Sequence, residues 1–179
     1  MENKTLLLID LDRCWGCGTC EVACALEKKS GPGRGRVKVE EAREESALSL
    51  PGSPQGRAFV PVLCQQCDDP ACVSSCPAGA LAKNASGIVE LDADLCLACG
   101  ACESACPFGA ITMGEASGMP EKCDLCASRR FAGLLPACVQ HCPGKALALG
   151  PSLPGANRAR GLKRSWSFGQ VEYRARPSL

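Results

Sequence analysis

The chain has 179 residues, a formal net charge of +1 and sixteen cysteines, while Phe, Trp and Tyr together supply only 4% of it. That length allows one compact unit or two small joined ones. So little aromatic surface excludes a fold held mainly by large apolar side chains, and leaves cysteine chemistry to hold the chain together.

The N-terminus reads MENKTLLLIDLDRC. Its apolar run, Leu6 to Ile9, is too short for the core of a signal peptide and is interrupted by Asp10 and Asp12. There is no twin-arginine segment, and no stretch of about 18 apolar residues occurs, so no direct membrane span is predicted. The expected location is a reducing cytoplasm, where thiols stay free to bind metal. Export or membrane association together with a signal-bearing partner is the alternative.

The cysteines fall into four groups of four. The first is Cys14, Cys17, Cys20 and Cys24, spaced C-x2-C-x2-C-x3-C. Residues 28–58 then form an insertion with Gly- and Pro-rich ends around a predicted strand at Val37 to Glu40. The second group, Cys64, Cys67, Cys72 and Cys76, has two extra residues before its third member and is followed by Pro77. The third, Cys96, Cys99, Cys102 and Cys106, repeats the first spacing and is followed by Pro107. The fourth, Cys123, Cys126, Cys138 and Cys142, has a longer gap and is followed by Pro143. Residues 151–179 form a tail with Arg158, Arg160, Lys163, Arg164, Arg174 and Arg176 against one acid, Glu172, a local charge of +5.

The sequence repeats itself. LLLIDLDRCWGCGTCEVAC aligns without gaps against IVELDADLCLACGACESAC. Each copy reads as a short strand, an Asp-containing turn, three close cysteines and a helical turn carrying the fourth. Small-residue segments follow the second, third and fourth groups (Ala78 to Ala80, Gly109 to Ile111, Gly144 to Ala146), each leading into a predicted return strand.

In C-x2-C-x2-C the backbone wraps a small object and aims three thiolates at it from one loop, leaving one corner of an iron–sulfur cube open. The fourth Cys of such a run sits on the next helical turn and ligates the other cluster of a pair, with Pro fixing the chain direction after it. Structural zinc prefers two C-x2-C pairs apart, a pattern only the fourth group approaches. Disulfides need an oxidising compartment. Metal-bound thiolates are deprotonated, and clusters of about −2 each would bring the loaded protein to about −7, so many Lys and Arg offset cluster charge. His141, the sole histidine, is read as a surface residue or one that supports a neighbouring ligand, since a Rieske centre needs two. Trp15 is read as a shield for the first cluster, and Arg129 and Arg130 as a docking surface or charge compensation.

With all four groups in view, and with strings such as CQQCDDPACVSSCP and KCDLC…PACVQHCP, residues 5–150 resemble the iron–sulfur (beta) subunits of molybdenum and tungsten bis-pterin oxidoreductases. These include the electron-transfer subunits of dimethyl sulfoxide, polysulfide and tetrathionate reductases and of tungsten aldehyde oxidoreductases. The resemblance implies four 4Fe–4S clusters. Cys14, Cys17 and Cys20 would share one with Cys142, and Cys123, Cys126 and Cys138 one with Cys24. Cys64, Cys67 and Cys72 would take Cys106, while Cys96, Cys99 and Cys102 would take Cys76. One departure is Ala25, where the other runs have Pro.

The expected fold class is α+β: duplicated bacterial-type ferredoxin folds with small strands and short helices around the clusters. Residues 1–27 and 120–150 would form one unit and 59–119 the other, with the 28–58 insertion and the 151–179 basic tail outside them. The expected function is non-catalytic electron relay between a molybdenum or tungsten pterin catalytic subunit, an aldehyde oxidoreductase among the candidates, and a further redox subunit or carrier. The insertion and the tail are the expected docking faces, and removing the tail is expected to spare the clusters. A free-standing polyferredoxin with several partners is the alternative. Nucleic-acid binding, suggested only by the tail with Trp166, Phe168 and Tyr173, is not expected.

Overall fold

A computed structural model describes residues 5–42, 58–151 and 164–175. The apolar run near the N-terminus forms β1 (Thr5–Asp10), and its alternation places Leu7 and Ile9 on one buried face. Strand β1 lies inside a four-stranded sheet. On one side it pairs antiparallel with β8 (Leu147–Pro151), and on the other parallel with β10 (Val171–Ala175), which pairs in turn with β9 (Arg164–Phe168). Three two-stranded ribbons complete the sheets: β2 (Val37–Ala42) with β3 (Ala58–Leu63), β4 (Leu81–Lys83) with β5 (Val89–Leu91), and β6 (Ile111–Met113) with β7 (Pro120–Lys122). Strands β4, β6 and β8 are the return strands expected after the second, third and fourth groups.

Five short α-helices lie among the described residues, and all but α4 carry later cysteines: α1 (Thr19–Lys28), α2 (Ala71–Ser74), α3 (Ala101–Ala105), α4 (Ala127–Phe131) and α5 (Ala137–Gln140). Helices α2, α3 and α5 stop within two residues of a Cys-Pro pair, because Pro cannot donate to the helical ladder. Helix α1 carries Ala25 at that place. It therefore runs on past Cys24 and ends at Lys29, whose φ of 53° is left-handed.

The described core falls into two clusters. One gathers Leu7, Ile9, Leu11, Val37, Leu63, Leu147, Val171 and Tyr173 around Cys20, Cys24, Cys138 and Cys142. The other holds Leu81, Val89 and Ile111 around Cys72 and Cys102.

Two segments that the sequence sets apart are built into the fold. From the tail, β10 fills the sheet beside β1, with Val171 fully buried and Tyr173 5% exposed. Arg174, counted in the sequence among the charges of the basic tail, is buried and bonds to Glu172 at 2.9 Å. The turn between β9 and β10 reaches the segments that follow β3 and join β4 to β5. There Gln170 N donates to Gln65 O at 2.9 Å, and Gln170 Nε2 donates to Ser86 O at 2.7 Å. The physical reason is that β1, with apolar residues to cover and two open edges, gains a second partner that alternation alone did not reveal. Arg158, Arg160, Lys163 and Arg176 lie outside the described residues, as do residues 43–57 of the insertion.

The described part of the insertion is equally integral. Val37 is in the core, Val39 N donates to Glu21 Oε1 on α1 at 2.8 Å, and the Arg36 guanidinium donates to Lys122 O at 3.0 Å.

Candidate metal centres

The four cysteine loops share one backbone device. In each, the residue two places after the first Cys has a positive φ: Gly16 (75°), Gln66 (51°), Ala98 (52°) and Leu125 (51°). For non-glycine residues that conformation costs about 1–2 kcal/mol, so the loops hold it against intrinsic preference. The turn aims backbone amides at sulfur. Ala98 N lies 3.4 Å from Cys96 Sγ, Leu125 N lies 3.4 Å from Cys123 Sγ, and the Gly16 amide faces Cys14. Gly16 is also required sterically, since a Cβ there would stand 2.5 Å from the Phe59 ring.

The last Cys of a run receives its own amide four residues on. Ala110 N donates to Cys106 Sγ at 3.4 Å, and Ala146 N to Cys142 Sγ at 3.3 Å. Cys24 cannot, because α1 continues beyond it. Its sulfur takes an amide from Arg36 N instead, at 3.3 Å. Such N–H···S bonds stabilise sulfur-borne negative charge and tune the potential of a bound cluster.

Folding unites cysteines from different runs. Cys14, Cys17, Cys20 and Cys142 line one cavity, together with Trp15, Val39, Pro61 and Leu147. Cys24, Cys123, Cys126 and Cys138 line a second, with Leu7, Val37, Leu63 and Leu125. Cys76, Cys96, Cys99 and Cys102 line a third, with Leu81, Leu91 and Leu97. The remaining four are also neighbours, since Cys64 and Cys106 both act electrostatically on Cys67 and Cys72.

All sixteen cysteines are free thiols. Among the described residues no three His, Cys, Asp or Glu side chains converge closely enough for a single metal ion. Four sulfurs spread round an apolar void fit a larger, polynuclear group, as thiolate ligation of an iron–sulfur cube requires. Burial pushes the Cys20 thiol to about 12, with the Glu21 carboxylate and Cys14 adding to it. Burial likewise pushes Cys138 to about 12, helped by Cys126 and Cys24, and carries Cys123 well up. Metal loading must therefore displace protons that these thiols hold firmly.

Other residues singled out in the sequence find definite places. Trp15 stays 58% exposed at the mouth of the first cavity, beside Gly144. His141 is exposed at the end of α5. Arg129 is engaged within the chain. It donates to Glu27 Oε2 and to Leu135 O, each at 2.8 Å, and also to Gln140, tying the fourth run to α1. Arg130 Nε donates to Leu125 O at 2.8 Å, bracing the fourth loop. Replacing Arg129 with Ala should cost about 1.5–3 kcal/mol, the range for a lost charged hydrogen bond. Heating the loaded variant and following loss of visible absorption should show earlier bleaching with unchanged initial iron.

Lys28 and Asp124 went unnoticed in the sequence, having no motif around them. Burial disfavours the Asp124 carboxylate, but Lys28 Nζ at 2.8 Å, with Arg36 beyond, prevails and lowers its carboxyl below the usual range. No helix among the described residues is long and apolar enough to cross a membrane.

Comparison with known proteins agrees with this donor set. The family model for the 4Fe-4S dicluster domain matches residues 56–152, and that for a 4Fe-4S binding domain matches residues 11–27. The thiosulfate reductase electron transfer subunit of Salmonella typhi is 39% identical over 151 residues, covering 84% of this chain and 77% of its own. One component of the anaerobic dimethyl sulfoxide reductase of Escherichia coli strain K12 is 38% identical, covering 84% and 75%. One component of the tetrathionate reductase of Archaeoglobus fulgidus is 38% identical, covering 76% and 62%. A protein with these loops, this donor set and these relatives belongs to the family of 4Fe–4S electron-transfer subunits of the dimethyl sulfoxide, thiosulfate and tetrathionate reductases.

Proposed function

We propose that the chain holds four 4Fe–4S clusters in a row, on the four cysteine quartets described above. Through them it relays single electrons between a molybdenum or tungsten pterin catalytic subunit and a further redox subunit or carrier. The order of the quartets carries this reading. Cys20 of the first acts electrostatically on Cys138 of the second, and Cys64 of the third on Cys123 of the second. Cys72 of the third and Cys102 of the fourth share one small core. Each bound cluster takes up and releases one electron at a time. The chain's part is to space the sulfurs, exclude water with apolar walls, and aim amides at sulfur.

The two exposed cysteines, Cys17 and Cys99, belong to the first and last quartets of the row. Exposed apolar side chains accompany each: Trp15 at one end, and Leu95 and Leu97 at the other. These ends are better docking faces than the insertion and tail, since part of each of those is already built into the fold. The relatives' names favour a sulfoxide or sulfur-oxyanion reductase as partner over an aldehyde oxidoreductase. Work in a reducing cytoplasm suits sixteen free thiols.

Anaerobic purification from the source organism tests the proposal. Iron and acid-labile sulfide should each equal the cysteine count, and the protein should elute in one stable complex with a pterin-containing subunit. Elution alone would instead support the free-standing polyferredoxin.

A further inference from the structure

Lys122, on β7, is 5% exposed, and among the described residues no carboxylate stands within ion-pair distance of it. Its ammonium donates to Val89 O at 2.5 Å and to Cys123 O at 3.0 Å. The same two residues are bridged again by Gln66, which is fully buried. Gln66 Nε2 donates to Cys123 O at 2.7 Å, and Val89 N donates to Gln66 Oε1 at 2.8 Å. Lys122 and Gln66 thus close a ring across the junction between the two units. It lies where Cys64 of the third quartet approaches Cys123 of the second. The ammonium also acts on Cys72 of the third quartet.

A buried ammonium with only carbonyl acceptors is costly unless negative charge lies close by. Two carbonyl oxygens accept two of its three N–H bonds but leave its charge unbalanced. Clusters held by the two quartets would supply that balance, one through the cysteine whose carbonyl Lys122 binds, the other through Cys72. The other cations near these quartets differ. Lys28 and Arg36 share the carboxylate of Asp124, and Lys83 lies 3.6 Å from Asp68.

We infer that Lys122 is the shared counter-cation of the two central clusters. It acts as a positioning residue that raises their reduction potentials above those of the outer two and so makes the junction the favoured resting place of an electron in transit. A fixed positive charge stabilises the more negative, reduced state of each neighbouring cluster. This inference rests on the four-cluster reading above.

The test is an EPR-monitored redox titration of the loaded full-length protein, wild type against Lys122→Gln and Lys122→Arg. The Gln variant keeps a hydrogen-bond donor and loses the charge. In it the two central potentials should fall by a factor of ten or more in the reduction equilibrium, about 59 mV for one electron. The outer two should stay, and the Arg variant should return to wild type. Full iron content with unmoved potentials, or an equal fall at all four clusters, would overturn the inference while leaving the four-cluster reading intact. If Lys122→Gln loses iron, Lys122→Arg decides. Retained iron at wild-type potentials supports a role for the charge, and loss of iron there too overturns it in favour of shape alone. A wild-type protein that loads fewer than four clusters would instead sink the underlying reading.

Discussion

Replacing Cys142 with Ala should expose Cys14, Cys17 and Cys20 to alkylation while leaving Cys123, Cys126 and Cys138 protected. These newly reactive thiols lie more than a hundred residues before the substitution, whereas the protected ones belong to its own sequence run. The expectation follows from the first cavity, where the Cys142 sulfur faces the N-terminal loop and takes its amide from Ala146. Losing one of four ligands should raise the alkylation rate of the other three by about tenfold or more, the factor that 1.4 kcal/mol brings. Cys24→Ala should give the reciprocal pattern, exposing Cys123, Cys126 and Cys138. Mass spectrometry of alkylated peptides from the two variants reads the pairing directly. If each run formed its own site, Cys142→Ala would expose Cys123, Cys126 and Cys138 instead. The effect should be large because structural metal sites contribute on the order of 10 kcal/mol, as much as the whole stability of a small domain.

The sites were legible in the sequence because metal ligation imposes spacing. Three thiols from one loop must meet one object, so C-x2-C-x2-C survives as a pattern, and the Pro after Cys76, Cys106 and Cys142 marks where each helix stops. The missing Pro after Cys24 was visible too, but its consequence was not: a longer α1 and an amide borrowed from Arg36. The ribbon of β2 and β3 was half legible. Val37 to Glu40 alternates as a strand should, yet nothing local shows that Val39 and Pro61 wall the first cavity. Lys122 and Gln66 left no signal, because a buried cation is indistinguishable from a surface one until its neighbours are known. The tail misled for a related reason. Its basic residues suggest a docking arm, whereas the alternating Val171, Tyr173 pair is what buries β10.

That burial makes truncation the second large effect. A protein ending after Pro151 lacks β9 and β10, so β1 loses its parallel partner along Leu7, Leu8, Ile9 and Asp10. The side chains of Val171 and Tyr173 account for about 1.5–3 kcal/mol each. Gln65 Nε2 also loses the Tyr173 hydroxyl at 3.0 Å, and the Gln170 bonds to Gln65 and Ser86 vanish. A total on the order of 5 kcal/mol is comparable to the whole margin of a small domain. Where release to an iron chelator proceeds through opening of this sheet, its rate should rise by about three and a half decades. Gly169→Ala should act in the same direction more weakly. At φ 54° its Cβ would stand 2.3 Å from Gln66 O, so the turn must retreat from the junction. Unchanged chelation kinetics in the truncated protein, combined with loss of its partner on purification, would restore the tail as a docking arm. Faster iron loss before any partner is added would instead make β9 and β10 part of what keeps the clusters in place.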